Sequence, residues 1–533
     1  MPPASLDAII IGAGFAGMYQ LLTLRDRLGL HVHLLEAASG VGGTWFWNRY
    51  PGARCDSESH SYCYGFSKEL LEEWEWSERY PEQPEILRYL NHVADRFDLR
   101  RNISFNTRVT ACTYDEAANL WHVTTATGET HSARYLITAV GCLSSANIPN
   151  IPGLEDFQGQ WYHTGEWPHD GVDFTGKRVG QIGTGSTGIQ AVPVIAETAA
   201  HLTVFQRTAN YSVPAHNAPL TREFKNWVKT SHAEIRAVMK STPNGHPFTI
   251  ADRKVADVSP EEREALYEAA WAKGGLQFRA TFQDLLVNRQ ANDTAADFLK
   301  RKIRGTVKDP KTAEILSDID HPYAAKRPPI DSHYFETFNR PNVELVDLRA
   351  APIERITQTG IKTTDAEYNL DIIVFATGFD AMTGPLFRLN LTGRDGLKLT
   401  DAWRAGPETW LGLGVPGFPN LFTITGPGSP SVLCNMPVCI EQHVDWITDC
   451  IAHMRAHGQT TIEAQPEAAL KWSDAVDAAA NATLLPEAGH SWYLGANVPG
   501  KPRRFMPYAG GMAHYRNICN DITAKNYEGF TLA

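Results

Sequence analysis

The chain has 533 residues, too many for one ordinary hydrophobic core, so two to four domains are expected. Its composition is 43% hydrophobic and 20% charged, which is that of a globular protein and excludes a disordered or fibrous class. Lys and Arg total 49 against 60 Asp and Glu, a net charge of −11, which disfavours nucleic acid or an anionic membrane as partner.

No run of apolar residues is long enough to span a bilayer, and the opening stretch MPPASLDAIIIGAGFAGM lacks the basic region of a secretory leader. The eight cysteines are scattered without a C-x-x-C pair, so neither a disulfide framework nor a metal site is expected. Reduced thiols and a cytoplasmic location are the natural reading.

In chain order, the first element is an apolar strand running into a glycine turn, Asp7-AIIIGAGFAG. Gly12, Gly14 and Gly17 form G-x-G-x-x-G, which allows a tight turn and brings a helix N-terminus to a pyrophosphate. The next strand, HVHLLE, ends at Glu36. A carboxylate there accepts hydrogen bonds from ribose hydroxyls and repels a 2′-phosphate, which favours FAD or NAD; the alternative is an exposed strand-end glutamate. Alternating segments between Phe105 and Thr125 predict a small antiparallel hairpin, and YLITAVG predicts a strand ending at Gly141.

A second strand and glycine turn follow in Lys177-RVGQIGTGSTG. Gly183, Thr184, Gly185, Ser186, Thr187 and Gly188 form the turn, and the strand LTVFQRT delivers Arg207 and Thr208 where an acid would otherwise stand. Arginine there suits a 2′-phosphate, so this site is expected to take NADP(H), unless Arg207 is a solvated strand-end charge. A lone glycine motif is weak, since a chain this glycine-rich holds about 0.3 chance matches. Gly412-LGVPG is such a decoy, with Pro416 inside it and no helix pattern after it. The two genuine copies have strand and helix context.

From about Pro214 the pattern becomes helical. Phe224, Trp227, Val228, Ile235, Val238 and Met239 are expected on one face, and Ser259-Pro260 looks like a helix start. The expected architecture is therefore α/β: two Rossmann-like dinucleotide-binding domains, for FAD and NADP, with a helical insertion in the second. The boundaries read as 1–143 for the first part of the FAD domain, 144–379 for the NADP domain with its insertion at about 214–325, and 380–533 for the C-terminal part of the FAD domain.

Between the two units lies Phe157-QGQWYHTGEWP, with Phe157, Gly159, His163, Trp167 and Pro168 spaced F-x-G-x-x-x-H-x-x-x-W-P. A chance match is expected about 10^-4 times. This segment resembles the fingerprint of the type I Baeyer–Villiger monooxygenases. Gly42-GTWFWNRYPGARCD, Lys326-Arg327 and ATGFD resemble further segments of that family, and the resemblance spans essentially the whole chain. The loop Gly426-PGSPSVLCNM is similar to the phenylacetone and steroid monooxygenase subgroup.

The resemblance implies conversion of ketones to esters or lactones with NADPH and O2, through a peroxyflavin and a tetrahedral adduct. It implies Arg327 as the charge that stabilises the anionic oxygens, and Asp56 as the residue that orients Arg327. Without it, Arg327 reads as a loop arginine and Asp56 as a turn cap. Further flavin contacts are implied at Thr44, Trp45, Trp47, Tyr62, Val109 and Met436, and NADP contacts at Lys326, beside Arg207, and at Trp492. Trp492 otherwise reads as an ordinary buried aromatic. His163 is expected in a hinge rather than in the chemistry. Leu433, Cys434 and Met436 are expected to shape a pocket for aryl, bulky cyclic or steroid ketones.

Three rivals share parts of this pattern. A disulfide oxidoreductase needs a redox cysteine pair, which Cys55 and Cys63 do not form by spacing. An N- or S-oxygenating flavin monooxygenase lacks the Trp167-Pro168 ending. A non-enzymatic flavoprotein has no need of Arg207 and Arg327. The enzyme is expected to be a monomer or weak homo-oligomer.

Overall fold

The computed structural model describes residues 6–533; Met1 to Ser5, on which part of the leader reading and the start of the 1–143 unit fall, lie outside the described residues. The first sheet is built around β1 (Leu6–Ile11), flanked in parallel by β2 (Val32–Leu35) and β6 (Thr130–Thr138). Ile9 and Ile10 are fully buried, as a strand covered on both faces requires, which is why this run is continuously apolar. β3 (Ile103–Ser104) extends β2. On the other side β4 (Val109–Asp115) and β5 (Leu120–Thr125) form the predicted hairpin and pair onward, antiparallel, to β6.

The second sheet is wholly parallel. It comprises β7 (Gln160–His163), β8 (Arg178–Ile182), β9 (His201–Gln206), β10 (Val343–Asp347) and β11 (Ile372–Phe375), in the spatial order β10-β9-β8-β11-β7. The fingerprint segment therefore supplies an edge strand of the second sheet, with His163 paired to Phe375. The chain then returns to the first sheet, where β12 (Leu391–Thr392) pairs with β4 and β13 (Leu421–Thr423) pairs with β6.

Helix α1 (Phe15–Leu22) follows the first glycine turn, and α2 (Ser186–Thr198) the second. The insertion carries α3 (Arg222–Thr230), α4 (His232–Ser241), α5 (Pro260–Lys273), α6 (Arg289–Thr306) and α7 (Pro310–Ser317). Ser259 caps α5 as its sequence suggests, accepting from the Glu262 N–H at 3.2 Å. The expectation of one helical face from Phe224 to Met239 is corrected. The backbone leaves the helix at Ser231 (φ −110°, ψ 16°), so the phase of the apolar stripe resets. Ile235 and Met239 enter the core, whereas Trp227 remains 47% exposed. The long helix α8 (Met436–Ala456) closes over α1, where the Tyr19 hydroxyl donates to Asp445 at 2.9 Å.

Among the described residues, no helix is long and apolar enough to cross a membrane. The decoy at Gly412 is a turn bridged between Trp410 and Gly414.

Candidate active site

Both glycine turns have the geometry their sequences require. Gly12 has φ +104° and Gly183 φ +108°, a region that L side chains avoid. A Cβ at Gly17 or Gly188 would overlap the carbonyl of Gly12 or Gly183, so only glycine lets each helix pack this close to its turn. By contrast, a Cβ at Gly185 would meet nothing within 4 Å, so the second turn has an open face beside the first turn of α2. That open face, with Ser186 and Thr187 next to it in the chain, suits a pyrophosphate.

Glu36 sits at the end of β2 with its carboxylate buried. Its two oxygens accept from the N–H groups of Ala13, at 2.6 Å, and Ala38, at 2.7 Å. Burial pushes the carboxyl up, and these backbone donors pull it back. Val109 begins β4 close by, since the Thr107 N–H donates to the Glu36 carbonyl at 2.8 Å. The first turn, Glu36 and Val109 thus lie close together. Gly43 packs on Gly14, which brings the short helix Thr44–Trp47 up to the same turn. Trp45 and Tyr62 meet edge to face at 5.8 Å, and the Trp45 indole N–H donates to the Tyr62 hydroxyl at 3.3 Å. Burial pushes the Tyr62 phenol well up, and Arg327 is near enough to oppose that shift.

At the second turn, Arg207 lies exposed just beyond β9. Thr208 is fixed there by its carbonyl, which accepts from the Thr184 hydroxyl at 3.0 Å. Lys326 lies within electrostatic reach of Arg207; burial, and then this like charge, lower its pKa, while Asp320 opposes them. Neither cation makes an ion pair among the described residues. Two facing cations of this kind fit a phosphate with about two negative charges.

Arg327 and Asp56 meet where the two halves of the site join. Arg327 Nε stands 3.4 Å from Asp56 Oδ2, and Nη1 donates to the Val432 carbonyl at 3.3 Å. Burial works against the guanidinium charge, but Asp56, Tyr493 and Cys55 together hold its pKa above the ordinary arginine value. Burial also pushes the Asp56 carboxyl up, with Arg327 opposing. The other Asp56 oxygen accepts from the Gln190 amide at 3.4 Å, and Gln190 in turn accepts from the Tyr50 hydroxyl at 2.7 Å. Gln190 is a site residue the sequence reading missed. It lies on α2 just after Gly188, so its amide links the second nucleotide unit to Asp56.

Arg327 also lines an open-mouthed cavity of about 160 Å³. Its walls come from the insertion (His246, Phe248, Arg279) and from C-terminal loops (Val432, Leu433, Tyr493). Leu433 is placed there as expected. Cys434 and Met436 are not in the lining: Cys434 is buried, and Met436 heads α8, packed against two apolar clusters. Arg279 and His246 had no sequence signal, being single polar residues in a long helical insertion.

The fingerprint residues are structural in their contacts. Gly159 has no room for a side chain, because a Cβ would lie 2.5 Å from both the Asp371 carbonyl and the Phe157 ring. Trp167 is buried against Tyr162 and Phe174. His163 Nδ1 accepts from the Gly165 N–H at 3.0 Å, while Nε2 is buried without a partner. Burial lowers its pKa, which keeps the ring neutral. Trp492 is half-buried on a loop pinned to the end of the ATGFD segment. Lys501 donates to Asp380 at 2.6 Å, and the Asn497 amide donates to the Phe379 carbonyl at 2.8 Å.

Residues 7–216 match the model of the flavin-binding monooxygenase-like family. The chain is 45% identical to 2-oxo-Δ3-4,5,5-trimethylcyclopentenylacetyl-CoA monooxygenase of Pseudomonas putida, over 99% of its length and 98% of that protein. It is 46% identical to a Baeyer–Villiger monooxygenase of Pseudooceanicola batsensis, over 99% and 96% of the two chains. Its fold superposes on oxidised steroid monooxygenase bound to NADP with a TM-score of 0.94, at 53% identity and 99% coverage of each chain.

Proposed function

The chain belongs to the Baeyer–Villiger monooxygenases, FAD- and NADPH-dependent oxidoreductases that convert ketones to esters or lactones with O2, and on that premise we propose how its residues divide the work. FAD reduced by NADPH supplies the activation of O2. The turn Gly12–Gly17, Glu36 and Val109 would hold the adenosine end of FAD. Thr44, Trp45, Trp47, Tyr62 and Met436 would hold the rest. The turn Gly183–Gly188 holds the NADP pyrophosphate, and Arg207, Thr208 and Lys326 hold its 2′-phosphate. Trp492 covers the nucleotide from its pinned loop. Phe157, Gly159, His163 and Trp167 form the hinge between the two units, and the residue ranges 1–143, 144–379 and 380–533 are part of the same reading.

Arg327 supplies the fixed positive charge that stabilises negative charge developing on oxygen during insertion beside the carbonyl. Asp56 orients it, and Gln190 steadies Asp56. A positioned donor of this kind is worth about 10^2–10^3 in rate. The reading rests above all on one observation: an Asp56-paired guanidinium in the wall of the open-mouthed cavity.

The mostly apolar walls favour aryl, bulky cyclic or steroid ketones. The net charge and the eight free thiols favour a cytoplasmic enzyme, as a monomer or weak homo-oligomer. Incubation with a ketone panel, NADPH and isotope-labelled O2 tests the reading. One labelled oxygen in each ester or lactone is expected. A yellow protein whose NADPH consumption no ketone stimulates would refute it.

A further inference from the structure

The cavity that holds Arg327 contains a second guanidinium with no acid to balance it. Arg279 makes one hydrogen bond to protein, from Nη2 to the Asn244 side-chain oxygen at 2.9 Å. Asn244 is itself fixed, because its amide nitrogen donates to the Leu433 carbonyl at 2.9 Å. Among the described residues, the remaining N–H groups of Arg279 have no protein acceptor and no carboxylate lies within ion-pair distance.

The charges around the cavity do not cancel. Its lining contains Arg279, Arg327 and His246 but no Asp or Glu. Asp56 balances Arg327 alone. His246 adds no charge, since burial and the two arginines push its imidazole down to about 3. In a chain of net charge −11, the substrate cavity therefore carries about one uncompensated positive charge. Burial lowers the Arg279 pKa, with Tyr323 and Tyr493 opposing and Arg327 adding to it, so the protein holds a half-buried cation that no carboxylate of the lining balances.

We propose that Arg279 is an anion-recognition residue, and that the preferred substrate is a ketone bearing a carboxylate. The carboxylate is held on the free edge of Arg279 while the carbonyl meets Arg327. The planar fork of a guanidinium matches a carboxylate in two parallel hydrogen bonds, and a low-polarity cavity strengthens them. The position of the anionic group then fixes which face and which flank of the carbonyl is presented. This inference rests on the oxygenating reading of the same cavity.

The test uses the FAD-loaded enzyme with straight-chain methyl-ketone carboxylates, from levulinate to longer homologues, each beside its methyl ester. The length series finds the spacing between the two arginines. At the matching length, kcat/KM for the acid should exceed that for its ester by about tenfold or more. Arg279→Met should bring the acid-to-ester ratio to about one, and Arg279→Lys should restore part of it. KM for NADPH separates this role from cofactor binding, and flavin absorbance confirms that the variant folds. Equilibrium dialysis of the labelled acid gives a readout independent of turnover: wild type should bind it and Arg279→Met should not. Esters oxidised at least as well as every acid, an unchanged ratio in Arg279→Met, or a shift in NADPH KM alone would overturn the proposal. Acid bound through Arg279 with no ketone oxidised would instead uphold the anion site and refute the oxygenating reading.

Discussion

Arg327 and Asp56, separated by 271 positions in sequence, form a part-buried ion pair at 3.4 Å, with Arg327 in the wall of the open-mouthed cavity. The pair joins a loop of the first nucleotide unit to the segment that closes the second. Asp56 therefore both supports the charge on Arg327 and sets its direction.

Replacing Asp56 by Asn separates these two effects. Burial raises the Asp56 pKa, so its carboxylate protonates at a higher pH than an ordinary aspartate. Ketone oxygenation should show an acid limb there, and Asp56→Asn should abolish that limb. The variant should also lower kcat/KM about 10–100-fold while retaining FAD, as losses of supporting groups around a site do. Steady-state kinetics across pH check both points; an unchanged acid limb would assign it elsewhere.

Arg207 and Lys326 should confer the preference for NADPH. Arg207→Ala should raise KM for NADPH by about tenfold and leave KM for NADH nearly unchanged, because only the phosphorylated cofactor loses a charge-assisted contact. Equal effects on both cofactors would remove Arg207 from the phosphate site.

Lys501 and Asp380 hold the loop that carries Trp492. Lys501→Ala should release the loop and expose the nucleotide and flavin to water. The expected result is a several-fold higher KM for NADPH and more hydrogen peroxide per NADPH consumed. Unchanged values would mean that the loop is held without this contact.

Acid should destabilise the fold through three buried histidines. Burial pushes His60, His246 and His321 down to about 4, about 3 and about 4. In the unfolded chain each takes a proton near pH 6.5, whereas in the folded chain each stays neutral, so the unfolded state binds more protons. Stability attributable to them is complete above about pH 6.5 and is lost as pH falls toward 4, at about 1.4 kcal/mol per pH unit for each histidine. Thermal unfolding midpoints should fall across this range, less steeply in His321→Asn. An identical slope in that variant would contradict the assignment.

The two dinucleotide units were legible in sequence because their physics is local. A doubly covered strand must be apolar throughout, and Gly12 and Gly183 must accept positive φ within a few residues of it. The pairing of Asp56 with Arg327 was accessible only through family resemblance, since nothing local to either residue marks its partner. Gln190 escaped notice because its role depends on what faces α2, not on its neighbours in sequence. Arg279 escaped for the same reason. The break at Ser231 was invisible to periodicity, because apolar spacing on either side still suggested a helix.

In the proposed division of work, Arg327 acts on oxygen insertion rather than on cofactor reduction. The direct measurement follows flavin reduction and labelled-ester formation in Arg327→Ala, supplied with NADPH, isotope-labelled O2 and a ketone the wild type accepts. The flavin should still be reduced by NADPH while ester formation falls by about 10^2–10^3 or more. Ester formation at the wild-type rate would contradict it.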